Sequence, residues 1–157
     1  MTDTPTRTML VTGGAKGLGA GICRRAAHAG YAVAVLDLER GDCATLVKSL
    51  PGKGHRALRA NVASESEVTM AFDELDAVPD VVVNNAGIVR FGPLVDHSLD
   101  DFRAGVDVNL VGTYVVARAV DLHARAVELP LDRAAAAELR ERLGRIRRGL
   151  REHRLER

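Results

Sequence analysis

Apolar and polar positions along the first 120 residues switch between short β-like runs and stretches with helical spacing, the pattern of parallel βαβ units. Met9-Leu10-Val11 is a short apolar run ending in a glycine-rich turn, and Gly17 to Ala29 reads as a helix. Tyr31 to Leu38 is almost continuously apolar, as expected of a strand buried on both faces. Asp42 is placed to cap a helix that Pro51-Gly52 terminates. His55 to Val62 is predicted as a third strand. Ser64 and Glu67 match a capping box, and Val68, Ala71, Phe72 and Leu75 follow on one helical face. Val81-Val82-Val83 is a fourth strand running into Asn84-Asn85-Ala86-Gly87. Ser98 and Asp101 open a long helix whose inner stripe is predicted as Phe102, Val106, Leu110, Thr113, Ala117 and Val120.

After Val120 the alternation stops. Pro130 breaks the helix, and a second helical pattern follows with Leu139, Leu143, Ile146 and Leu150 on one face. Glu138 with Arg142, and Glu141 with Arg145, make favourable pairs four residues apart. Gly144 and Gly149 weaken that helix by about 1 kcal/mol each relative to alanine. Its apolar seam is too short to argue for a coiled coil. The expected organisation is a domain over residues 1–120 and an arginine-rich helical tail, 121–157, packing on it.

A chain of 157 residues, 46% hydrophobic and 27% charged, has the make-up of an ordinary soluble domain with room for a core. Its net charge of +1 gives no strong pull toward nucleic acid or an anionic membrane. The charge is uneven. Residues 1–117 hold 11 basic and 14 acidic side chains, whereas 118–157 hold 11 arginines against 7 acids. A solvated arginine face on an amphipathic helix accounts for this, and interspersed acids without aromatics argue against nucleic-acid binding. Cys23 and Cys43 form no CxxC pair, which fits a reducing compartment and no zinc site. The polar start MTDTPTRTML has no apolar signal core, and no run reaches membrane-spanning length, so a soluble cytoplasmic protein is expected. The five histidines lack metal spacing and are expected at the surface.

The chemistry concentrates where strand one meets helix one, at Thr12-Gly13-Gly14-Ala15-Lys16-Gly17-Leu18-Gly19. Unpaired N–H groups and the dipole at a helix N-terminus suit a pyrophosphate, and glycines let the backbone approach it. The spacing G-x-x-x-G-x-G differs from the general dinucleotide fingerprint G-x-G-x-x-G. Asp37 ends strand two, where a carboxylate can accept bonds from ribose hydroxyls and repel a 2′-phosphate, favouring NAD over NADP. Lys16 is a countervailing base.

Five features occur in order: TGGAKGLG, the strand-ending Asp37, Asn61-Val62 after strand three, NNAG after strand four, and Asn109 in VDVNLVG. Together they resemble the short-chain dehydrogenase/reductase family over about Arg7 to Val120. The resemblance implies an α/β fold, a Rossmann-type doubly wound parallel sheet, here truncated to about four strands with an added C-terminal helix. It implies NAD(P)-dependent hydride transfer between an alcohol and a carbonyl. Gly13, Gly17, Leu18 and Gly19 would cradle the pyrophosphate, with Ala15 and Lys16 of the same turn also binding the cofactor, Asp37 the adenosine ribose, and Asn61 with Val62 the adenine. Asn85, Ala86 and Gly87 would lie beside the cofactor ribose, while bracing the sheet is an equally good role for Asn84 and Asn85. Asn109 resembles the family's catalytic asparagine, which helps order a proton relay. Gly105, Asn109, Gly112 and Val116 share a face opposite the predicted apolar stripe.

The family's serine and Tyr-x-x-x-Lys pair, which polarise a carbonyl and move its proton, have no counterpart. No serine follows Ser98 and no lysine follows Lys53. Tyr114 and Arg118 imitate the spacing, but arginine does not give up its proton to a relay. The tail stands where the family continues its sheet, as a truncation, a frame change, a fusion or a designed cap would leave it. NAD binding with little or no turnover is therefore expected, with an alcohol or ketone as substrate only in a complete form. The alternative is a non-catalytic remnant or engineered module that self-associates, as a homodimer, through helix 98–120 and the tail. No nucleic-acid, membrane or metal partner is expected.

Overall fold

Successive residues of the strands face opposite sides of the sheet, and each side has its own core. β1 (Thr8–Thr12) and β2 (Ala32–Asp37) pair in parallel, as do β2 with β3 (Arg56–Arg59) and β1 with β4 (Val81–Val83), giving the order β3-β2-β1-β4. The computed structural model describes residues 7–75 and 77–128. Leu10, Ala34, Leu36 and Leu58 point to one face, where Val68, Ala71 and Phe72 of α3 (Glu65–Asp73) meet Val116. Val11, Val33 and Val35 point to the other, against Ala20, Cys23, Ala26 and Ala27 of α1 (Gly17–His28) and Cys43 and Leu46 of α2 (Arg40–Ser49). This period of two, with both faces covered, explains why β2 reads as an unbroken apolar run. The architecture is the doubly wound parallel α/β sheet of four strands, as expected.

Local chemistry trims the predicted elements. β3 begins at Arg56 because the His55 ring takes the preceding rung: Val33 N–H donates to His55 Nδ1 (3.0 Å), and His55 Nε2 lies 2.9 Å from the Pro51 carbonyl. It ends at Arg59 because Asn61 turns the chain, its Oδ1 accepting from Ala63 N–H (3.0 Å) and its carbonyl from Ser64 N–H (2.9 Å). α2 starts at Arg40 with Glu39 at its N-cap, so Asp42 sits in the first turn rather than capping the helix. Half of the expected capping box forms. Ser64 Oγ accepts from Glu67 N–H (3.4 Å), while the Glu67 carboxylate accepts from Asn61 N–H (3.1 Å) instead of turning back to Ser64.

The long helix holds the largest correction. It comprises α4 (Leu99–Val106), a π-helical stretch (Asp107–Val111) and α5 (Gly112–Glu128), opened by Ser98 Oγ accepting from Asp101 N–H (3.0 Å). Phe102, Leu110, Thr113 and Ala117 of the predicted inner stripe are exposed; Val106 and Val120 are half-buried. The buried face carries Gly112, Val116 and His123, with Val108, Val115, Ala119 and Val120 packed against the core. Two things turn the helix round. Each residue advances a helix by about 100°, so the wider π turn rotates everything beyond it. A Cβ on Gly112 would also lie 2.7 Å from Val62 Cγ2, so the helix packs by its backbone where a larger residue would hold it away. His123, expected at the surface, is buried edge-on against the Phe72 ring.

Asp80 closes the β1–β4 pair from below. Its Oδ2 accepts from Thr8 N–H at 2.6 Å, and that bond holds the Asp80 carboxyl below the usual carboxylate range. Among the described residues β4 pairs with β1 alone, so its other edge is open there, and no helix is long and apolar enough to cross a membrane. The chain divides into two units, Met1–His123 and Ala124–Arg157. The expected tail helix through Leu139, Leu143, Ile146 and Leu150 lies outside the described residues.

Candidate nucleotide site

The chain runs outward from β1 to β2 and β3, then returns to place β4 on the other side of β1. The order therefore reverses between β1 and β4, and in open parallel sheets ligands bind at the carboxyl ends of the strands beside such a reversal. Gly13–Gly19, Asn61 and Asn85–Gly87 follow the carboxyl ends of their strands, and Asp37 is the last residue of β2.

Thr12 is the knot. Its side chain is buried at the end of β1, and Oγ1 accepts from the backbone N–H of both Asn85 and Ala86, each at 3.0 Å. The Asn85 amide returns two bonds, donating from Nδ2 to the carbonyls of Thr12 and Gly13, each at 3.0 Å. Asn85 thus braces the glycine turn directly. Gly13 has φ +60°, and a Cβ there would stand 2.8 Å from Ala86 Cα. A Cβ on Gly19 would lie 2.1 Å from the Gly13 carbonyl oxygen, so α1 starts pressed against its own turn. Cys23 closes the underside, its thiol donating to the Gly14 carbonyl at 3.6 Å. Burial pushes the Cys23 and Cys43 thiols up to about 11 each, so both stay protonated near neutrality.

The outer side of the turn is open. Gly17 has φ +53° with nothing within 4 Å of a Cβ built on it. The N-cap, Lys16, makes no side-chain capping bond, and the first turn holds no acid, so the leading N–H groups have no local anion. Leu18 is exposed beside them. Asp37 reaches the turn from β2: Oδ2 accepts from Ala15 N–H (3.0 Å) and Oδ1 from Leu38 N–H (2.8 Å). Lys16 Nζ lies 2.6 Å from Asp42 Oδ2. The Asp42 bond and charge, with Asp37 and Glu39 behind it, hold the ammonium above the ordinary lysine range.

The remaining predicted residues divide. Asn61 is committed to its own turn, and Val62 is buried in the core beneath the long helix. A Cβ on Gly87 would stand 3.3 Å from Asn109 Oδ1. Asn109 sits in the π-helical stretch, where Oδ1 accepts from Ile88 N–H (2.8 Å) and Nδ2 donates to the Ile88 carbonyl (2.9 Å). Its side chain therefore bonds across to the NNAG loop rather than within its helix. Tyr114 is exposed, and Arg118 is tied to Glu65 of α3. Among the described residues no group of three or more His, Cys, Asp or Glu side chains could hold a metal ion. Two roles were hidden in the sequence. Thr12 was visible as the hydroxyl before the glycines, but its acceptor role needs β4 alongside; Asp42, twenty-six residues from Lys16, gave no local signal.

A family model for short chain dehydrogenases matches residues 7–124. The chain belongs to the short-chain dehydrogenase family. Oxidoreductase UcpA of Escherichia coli K12 is 36% identical over 119 residues, covering 73% of this chain and 45% of that protein. D-threitol dehydrogenase of Mycolicibacterium smegmatis is 34% identical over 119 residues, covering 73% of this chain and 46% of that one. The crystal structure of a gluconate 5-dehydrogenase from Burkholderia cenocepacia, in complex with NADP and tartrate, superposes with a TM-score of 0.67. It is 35% identical and covers 76% of this chain and 50% of that one. The chain spans about half the length of the short-chain dehydrogenases it matches. The family uses NAD(P), and the glycine turn, with its open outer face and uncapped amides, is a cradle that fits such a cofactor.

The knot makes a direct prediction. Thr12→Val keeps the shape but leaves the Asn85 and Ala86 amides without their acceptor, at about 1–3 kcal/mol for each. Urea unfolding should show that loss, and Thr12→Ser should recover most of it. A Thr12→Val chain as stable as the parent would show that the hydroxyl does not hold the junction.

Proposed function

We propose that this chain binds NAD at the β1–α1 turn and, by itself, turns over little or no substrate. The observation that carries the reading is the Asp37 carboxylate beside an open, uncapped glycine turn. Gly17, Leu18 and Gly19 receive the pyrophosphate by backbone donation and the helix dipole, on a turn completed by Gly13, Lys16 and Ala15, whose own N–H is held by Asp37. Asp37 accepts from the ribose hydroxyls and repels a 2′-phosphate. Asn61 and Val62 border the adenine end, and Asn85, Ala86 and Gly87 the nicotinamide end, where Asn109 holds the loop in place. Bound NAD supplies a hydride acceptor, so an alcohol is the substrate class of the complete enzyme and a ketone its product. The sequence carries no Tyr-x-x-x-Lys to move the accompanying proton. The two buried free cysteines support a cytoplasmic setting.

Titration calorimetry with NAD and NADP tests this. NAD should bind saturably, and NADP about tenfold more weakly, the effect of about 1.4 kcal/mol. Asp37→Asn should narrow the gap, and the chain should form no NADH from secondary alcohols. NADP binding tighter than NAD would contradict the assignment of Asp37, and steady NADH formation would contradict the inactivity.

One observation favours a second reading alongside the first. Phe102, Leu110 and Tyr114 are large apolar side chains exposed along the long helix, candidates for a covered surface. On this reading a second copy covers them. Sedimentation velocity should then show a concentration-dependent dimer that Leu110→Glu dissociates; a monomer throughout would dispose of the idea.

A further inference from the structure

Lys16 is a cation beside the carboxylate assigned to the ribose, where a 2′-phosphate would seek a positive charge. It follows Ala15, whose N–H binds Asp37 Oδ2, so it borders the carboxylate assigned to the ribose. A free ammonium there would offset the Asp37 charge and admit NADP. The ammonium is engaged, however, by Asp42 from the first turn of α2, at 2.6 Å. Two other cations around this end of the sheet are tied in the same manner. Arg40 forks onto both carboxylate oxygens of Glu74 (3.1 and 2.5 Å), and Arg59 lies 3.0 Å from Glu67.

We propose that Asp42 is a cofactor-selectivity residue that acts through Lys16, withholding its ammonium from a 2′-phosphate and adding a negative charge beside it. This inference rests on the NAD-binding reading above. Asp42 touches no cofactor in this account; it positions and neutralises a side chain that otherwise would. The Lys16 and Asp42 side chains are 77% and 42% exposed, so their tie is solvated and reversible. A 2′-phosphate must therefore compete with a carboxylate already in place, and the penalty falls on NADP alone because NAD brings no such group. An exposed pair of this kind gives a modest, salt-sensitive effect rather than an absolute barrier.

Calorimetric affinities for NAD and NADP on the full chain, parent against Asp42→Asn, provide the test. NADP binding should tighten about two- to fivefold, as an exposed charge contact allows, with NAD unchanged. Lys16→Met combined with Asp42→Asn should cancel most of that gain, and raising the salt concentration should shrink it. Asp42→Ser repeats the test with a residue equally suited to a first helical turn. An NADP-to-NAD affinity ratio unmoved in both Asp42 variants overturns the proposal while leaving the nucleotide site standing. A parent chain that binds neither dinucleotide overturns both.

Discussion

One buried hydroxyl joins the two halves of the sheet where its strand order reverses. Thr12 Oγ1 accepts two amides from the loop after β4, while Asn85 answers with two bonds to the loop after β1. These bonds form between residues more than seventy positions apart, and they decide how close the two loops come. Gly13 faces Ala86 with no room for a Cβ, and Gly19 faces Gly13 in the same way. The glycines are thus required from the inside by backbone crowding, while the outward side of the turn stays open. Ala15 N–H is taken by Asp37, while the start of α1 beyond it has neither a side-chain cap nor an acid in its first turn, the arrangement a helix N-terminus offers an anion.

The charges around the turn are unevenly distributed. The helix start is uncapped and free of acids, which suits a pyrophosphate. A few residues away the balance reverses, with Asp37, Glu39 and Asp42 surrounding the single ammonium of Lys16. One end of the turn attracts negative charge and the other repels it. The proposed preference for NAD over NADP rests on that gradient. Its sign at the ribose end depends on side chains brought together by the β2–α2 connection.

Much of this was legible in the sequence, and the failures have physical causes. The strands β1 and β2, the glycine turn and Asp37 could be read because each is local: a run, a turn and a strand end. Membership of the short-chain dehydrogenase family was legible from five motifs in order, and the match over residues 7–124 bears it out. Beyond Val106 the face of the long helix was misread because periodicity assumes an unbroken 3.6-residue turn, and the Asp107–Val111 stretch is π-helical. Hydrophobicity also weighs Phe102 and Leu110 above Gly112, whereas close packing against Val62 demands the glycine. The shortened β3 was hidden for another reason. His55 and Asn61 look like strand residues in sequence but use their side chains to replace or end the ladder.

The most direct test of a preformed diphosphate cradle is a backbone amide NMR titration with NAD. The amides of Gly17, Leu18 and Gly19 should shift saturably, as should those of Ala15 and Leu38, whose acceptor Asp37 gains a new partner. Amides of the exposed Phe102, Leu110 and Tyr114 should stay still. Shifts that leave residues 15–19 untouched, or that scatter over the surface without saturating, would contradict the account.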